Sequence, residues 1–163
     1  MIINGSELLC RGPIKGMINV KTREHGVSWG LSEAGYDIRI KQDVVFKDVR
    51  DGGGVWVDGI HKATGSFTIA SAIEEFDMPR SLVGVVHDKS TWARRGLSVF
   101  NTVIEPGWKG FLTLELVYHG RESLHIPAGA GIAQVLFHQT AERAEYKGKY
   151  QNQEDRPVDS ING

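Results

Sequence analysis

The sequence predicts an all-β fold, a sandwich or barrel rather than an alternation of strands and helices. Three observations carry this. No long apolar pattern recurs at the 3.6-residue helical period. Short runs of β-branched and aromatic residues recur instead, separated by turn residues. The chain of 163 residues also holds 20 glycines, most densely at Gly52-Gly53-Gly54, as a fold with many tight turns requires.

Taken in order, Ser6-Glu7-Leu8-Leu9-Cys10 predicts a short helical turn capped by Ser6 and ended by Gly12-Pro13. Tyr36 to Ile40, Val44-Val45-Phe46, Val55-Trp56-Val57 and Gly65 to Ala70 predict strands. The segment Phe76 to Leu82 leads into a buried strand, Val83-Gly84-Val85-Val86. At Ser90 the pattern changes: Ser90 as N-cap and Gly96 as the residue past the end predict one helical turn over Thr91 to Arg95. Leu97 to Phe100 resumes as strand, with Asn101-Thr102 as a hairpin tip, Val103-Ile104-Glu105 as the return and Pro106-Gly107 as a turn before Trp108. From Phe111 to Val117 the side chains alternate, which sets Leu112, Leu114 and Leu116 on one face and Glu115 on the other. Leu124 to Pro127 and Ile132 to Phe137 predict the last strands, with a bend at Gly129-Ala130-Gly131. Beyond Glu142 the sequence turns polar. The organisation expected is a β-domain over residues 1–140 and a C-terminal tail over residues 141–163.

A net charge of −1, from 19 basic and 20 acidic residues, supplies no global field for nucleic acid or a membrane surface. Any basic site is therefore local. Cys10 is the single cysteine, which excludes an intrachain disulfide framework and a multi-cysteine metal site. No charged-then-apolar leader is present, and no apolar run reaches the length of about 18 residues that crosses a bilayer. A cytoplasmic protein is the expectation.

Chemistry concentrates in two places. Asp88-Lys89-Ser90-Thr91-Trp92-Ala93-Arg94-Arg95 gathers three cations and two hydroxyls at a helical turn, the donors and charge that a triphosphate needs. The spacing is not that of a Walker A loop. Glu115 sets one carboxylate in an apolar strand, where desolvation would raise its pKa and a nearby Arg94 would lower it, the balance that general acid–base catalysis uses. The six histidines show no metal-binding helical spacing, and the His-x-Glu with Pro-Cys-x-x-Cys of zinc-dependent base deaminases is missing. The four tryptophans read as packing residues.

These segments resemble a family. Lys89 to Leu97, Ile104-Glu105-Pro106-Gly107-Trp108-Lys109-Gly110, Thr113-Leu114-Glu115-Leu116, Gly131 to Phe137 and Lys149-Tyr150-Gln151-Asn152-Gln153 follow the order seen in dCTP deaminases of the trimeric dUTPase superfamily. Gly35 to Ile40 is similar to that superfamily's first motif. The resemblance covers roughly residues 35–160 and implies a distorted jelly-roll-like β-barrel with short helical turns, assembled as a homotrimer with active sites between subunits and tails that close over them.

The resemblance implies a hydrolase that converts dCTP to dUTP and ammonia without zinc. Glu115 matches the acid–base group, and Ser90 and Arg94 match the residues that position water and carboxylate. Lys89, Ser90 and Thr91 match the triphosphate cradle, while Tyr146, Lys149 and Gln153 match the tail residues that close over the phosphates. Asn101, Thr102 and Glu105 fall where base and sugar are read. Mg²⁺ would be carried by the nucleotide's phosphates. The chain departs from the family at Glu105, where aspartate is usual, and in the segment Phe100 to Val103, which is a residue or so shorter. Alternatives are a bifunctional deaminase–diphosphatase, a plain dUTPase, and a nucleotide-binding regulator without turnover.

Overall fold

The frame is laid down by long strands whose side chains alternate between core and surface. The computed structural model describes residues 1–163. In chain order the strands are β1 (Ile2–Ile3), β2 (Lys21–Glu24), β3 (Val27–Leu31), β4 (Tyr36–Arg39), β5 (Val44–Phe46), β6 (Val55–Val57), β7 (Ile60–Ala63), β8 (Phe67–Asp77), β9 (Leu82–Asp88), β10 (Leu97–Val99), β11 (Val103–Ile104), β12 (Lys109–Tyr118), β13 (Leu124–Ile126) and β14 (Gly131–Gln139). Two short α-helices, α1 (Gly5–Arg11) and α2 (Ser90–Ala93), and one 3-10 turn at Val49–Asp51 complete the set. The all-β expectation is met.

Three sheets result. The largest runs β11-β9-β14-β4-β3-β2 with β1 also paired to β14, a second runs β10-β12-β8, and a third runs β13-β5-β6-β7. All named pairings are antiparallel. Their inward faces form one core of 32 buried residues, with Ile38, Phe76, Leu114, Leu116 and Phe137 among the fully enclosed side chains. Each such side chain contributes about 1.5–3 kcal/mol relative to exposure. Leu112, Leu114 and Leu116 all join that core, as the alternation in β12 requires, and Glu115 faces the other way, half-buried.

The structure differs from the sequence reading at several turns. Helix α1 begins two residues earlier than expected, with Asn4 and not Ser6 at the capping position, and the Asn4 side-chain amide is spent on the Glu33 carbonyl at 2.8 Å and does not cap the helix. Gly12 does end it, at φ 58 with its N–H on the Leu8 carbonyl. Helix α2 likewise starts one residue early: Lys89, not Ser90, is the capping residue, and Arg94 keeps right-handed helical backbone at its end. Asn101-Thr102 is not a hairpin tip. Leu97–Val99 pairs with β12 and Val103–Ile104 with β9, so the segment between them carries the chain from one sheet to another.

Candidate active site

The outer face of β12, the adjoining face of β8, the segment around β11 and the C-terminal tail enclose a cavity of about 510 Å³. Its floor follows from register. In the β8–β12 pair Ile69 lies opposite Glu115 and Phe67 opposite Val117. On the other side of β12, the Phe100 N–H donates to the Glu115 carbonyl at 3.0 Å, extending the β10 register by one residue. Glu115 therefore stands between Ile69 and Phe100 in one cross-strand row, where side chains are near neighbours.

This apolar setting controls the carboxyl. Oε2 of Glu115 is enclosed and has no hydrogen-bond partner. Burial pushes the Glu115 carboxyl above its ordinary value of 4.5, opposed only by its own backbone N–H. The expected offset from Arg94 is absent within one chain, because Arg94 follows α2 and lies outside the cavity wall. A poised carboxyl with one free oxygen can take a proton from a bound water and return it elsewhere on a ligand.

The tail forms the remaining wall through paired backbone. Phe111 N–H donates to the Gln153 carbonyl at 3.1 Å, and Asn152 N–H donates to the Lys109 carbonyl at 2.9 Å. The Trp108 indole N–H reaches the Tyr150 carbonyl at 2.6 Å, and the Gln151 amide donates to the Gly107 carbonyl at 3.0 Å. Further on, Val158 N–H donates to Thr113 Oγ1 at 3.1 Å, which brings Val158, Asp159 and Ser160 to the cavity. The segment read as a polar tail is thus tied to the sheet edge by its backbone.

The predicted residues divide. Glu115, Thr102, Glu105, Tyr146 and Gln153 line the cavity together, whereas Lys89, Ser90, Thr91, Arg94, Asn101 and Lys149 do not. Asn101 folds back instead, its amide donating to the Val86 carbonyl at 2.9 Å. The Lys149 ammonium donates to the Ile161 carbonyl. Ser90, Thr91, Arg94 and Arg95 are exposed on their helical turn. Lys89 is not free at the surface: its ammonium donates to Asp37 Oδ2, and to Ser28 Oγ at 3.0 Å.

Sequence reasoning missed Phe67, Ile69, Tyr150, Val158 and Asp159 as cavity residues, and took Trp108 for a packing residue alone. For Phe67 and Ile69 the signal was the alternation of Gly65 to Ala70, which puts both on one face. No group of three or more histidines, cysteines or carboxylates is arranged to hold a metal ion. No helix is long and apolar enough to cross a membrane.

Comparison with known proteins follows the same lines. The family described as dCTP deaminase-like matches residues 21–140. The dCTP deaminase of Acidobacterium capsulatum is 34% identical, spanning 94% of this chain and 96% of that protein. The dCTP deaminase of Campylobacter hominis is 40% identical over 78% of this chain and 76% of its own. Among solved structures, the EIAV dUTPase superposes with a TM-score of 0.52 at 18% identity, covering 72% of this chain and 85% of that one. A dUTPase of phage phi11 of S. aureus, described with a structural Mg(II) ion, gives a TM-score of 0.53 at 15% identity over 80% and 89% of the two chains. At such identities these two structures share the fold.

Proposed function

The chain belongs to the dCTP deaminase-like family, and from that membership we infer that it is an enzyme hydrolysing the exocyclic amino group of dCTP to give dUTP and ammonia. The observation that carries this reading is the Glu115 carboxyl, pushed up by burial and holding one enclosed oxygen without a partner at the floor of a cavity. A dUTPase cleaves phosphoanhydride; it has no use for a proton-transfer group at the base.

In the reaction, Glu115 takes a proton from water as the water oxygen bonds to C4 of cytosine, and the proton passes to N3. The carboxylate then takes the proton of the new C4 hydroxyl and passes it to the amino group, the C4–N4 bond breaks, and ammonia leaves with both electrons of that bond. Water oxygen becomes O4 of uracil, so atoms and charge balance. Ser90 and Arg94 position the water and the carboxylate. Lys89, Ser90 and Thr91 form the triphosphate cradle, closed by Tyr146, Lys149 and Gln153 of the tail at 141–163, while Asn101, Thr102 and Glu105 face the base and sugar. The donors of the cradle are hydroxyls and an ammonium, which suit phosphate oxygens and not a cation. Mg²⁺ would accordingly be held by the phosphates themselves, neutralising their charge.

Because Ser90 and Arg94 lie outside the Glu115 cavity of their own chain, the site is complete only when a neighbouring copy supplies them. A cytoplasmic homotrimer fits that requirement, with each site built from two chains. Incubation with dCTP and separately with dUTP, with products resolved by anion exchange, tests the reading. dUTP and ammonia from dCTP alone are expected. Diphosphate release from dUTP would make the enzyme bifunctional or a dUTPase, and binding without turnover of either nucleotide would make it a regulator.

A further inference from the structure

Beside Glu115, at the mouth of the cavity, stand two aromatic side chains that the acid–base chemistry does not use. Phe67 and Phe100 are 47% and 48% exposed, and Val103 beside them is 53% exposed. Large apolar side chains gathered at a cavity mouth mark a surface that is covered in the working state. The two rings lie 6.2 Å apart at an interplanar angle of 31°, so they form a paired aromatic surface. Phe67 and Val103 line the Glu115 cavity directly.

Their place in the sheet fixes what covers them. Phe100 lies opposite Glu115 across β12, and Phe67 lies one row along on the far strand, opposite Val117. Cross-strand neighbours on one face sit about 4.5–5.5 Å apart at Cβ. Glu115 must come within about 3 Å of the atoms between which it moves protons. A ring whose C4 and N3 are served by Glu115 is therefore in reach of both phenylalanines. The tryptophans of the region are not available for this, since the indole N–H groups of buried Trp92 and Trp108 are spent on the carbonyls of Gly131 and Tyr150.

We propose that Phe67 and Phe100 form the platform against which the pyrimidine of the nucleotide packs, and that they set its plane relative to Glu115. The proposal rests on the dCTP deaminase reading for the identity of the base. Packing against an aromatic face tolerates any flat ring, so these residues supply affinity for a base as such, and the choice among pyrimidines falls to the polar groups around it.

The test is equilibrium binding in a Glu115→Gln background, which holds dCTP unconverted, using dCTP and inorganic tripolyphosphate as paired probes. Phe67→Ala and Phe100→Ala are each expected to weaken dCTP binding roughly tenfold. Tripolyphosphate binding should stay within about twofold, which a general loss of folding would not allow. Phe→Tyr at either position should restore the dCTP affinity. Unchanged dCTP binding overturns the platform, as does a parallel loss of tripolyphosphate binding. Dissociation of the assembly in sedimentation would also overturn it, by placing the rings between copies of the chain. Should the wild-type protein release no ammonia while the binding pattern holds, the deaminase reading fails and the platform stands.

Discussion

The Lys89 ammonium is held by the Asp37 carboxylate in a pair almost closed to solvent, with side-chain exposures of 11% and 3%. The other carboxylate oxygen of Asp37 accepts from the Gln134 amide at 3.1 Å, which also donates to Ser32 at 2.9 Å. Strands β4 and β14 are thereby fastened to the residue that opens α2.

Removing one member of such a pair leaves a buried charge without its partner. Asp37→Leu is expected to cost about 3–5 kcal/mol, and the double variant with Lys89→Met to recover most of that loss. Urea denaturation of the two variants measures both numbers. If Lys89 also serves the triphosphate cradle, the double variant will be stable yet bind nucleotide weakly. The pair then has a structural part and a binding part that separate cleanly.

Glu115→Gln keeps the shape of the side chain and removes its proton transfer. Ammonia release from dCTP should fall by at least the roughly 10²–10⁴-fold that a positioned acid–base contributes. dCTP should still bind by calorimetry. A variant that retains full turnover would remove Glu115 from the mechanism.

The pH dependence follows from the same burial. Glu115 must be ionised to accept a proton from water, and its pKa lies above the ordinary 4.5. The acid limb of kcat/KM is therefore expected at a pH above 4.5. Stability runs in the opposite sense. The folded state holds the Glu115 proton more tightly than the unfolded chain, so this group's contribution is full below the unfolded pKa and is lost as pH rises through the folded pKa. At neutral pH, Glu115→Leu should stabilise the fold by on the order of 1 kcal/mol, read as a higher Tm that vanishes in acid.

The division of the site between chains can be read without a structure of the assembly. Sedimentation should give a species of three times the 18.0 kDa chain. Arg94→Ala and Glu115→Gln should each be inactive alone. Mixed and allowed to exchange subunits, they should regain a fraction of wild-type turnover, because some sites then pair an intact Arg94 with an intact Glu115. No recovery in confirmed mixed assemblies would place both residues on one chain.

How much of this was legible in the sequence depends on whether a signal was local. The alternation of Phe111 to Val117 gave the buried leucine face of β12 and the outward Glu115 without any tertiary information. Two hairpins were missed. Asp58 and Gly59, with φ of 49° and 76°, make the tight turn between β6 and β7, and Asp-Gly is a readable signal for it. His25 and Gly26, with φ of 52° and 76°, do the same between β2 and β3, where a charged strand and an unusual turn residue concealed the pattern. The failure at Asn101-Thr102 was of another kind. Leu97–Val99 and Val103–Ile104 look like two arms of a hairpin, and only long-range pairing assigns them to different sheets. The inward turn of Lys89 was invisible for the same reason, since Asp37 lies 52 residues away.

Gly110 couples the sheet to the tail. Its φ is 131°, and a Cβ placed there would lie 2.6 Å from the Gln153 backbone nitrogen and 2.7 Å from its carbonyl oxygen. Both atoms are backbone, so the clash cannot be relieved by a side chain swinging aside. Gly110→Ala must either strain β12 or push the tail from its seat beside Phe111. The tail is held mainly by hydrogen bonds at a sheet edge, whereas β12 is anchored in the core by Leu112, Leu114 and Leu116, so the tail should yield first. The expected outcome is faster proteolytic cleavage beyond Gln139, a raised KM for dCTP, and a Tm lowered by only a few degrees, about what a loss near 1 kcal/mol produces in a chain of this size. A KM that stays at the wild-type value with the tail cleaved readily would show that closure over the cavity does not hold the nucleotide.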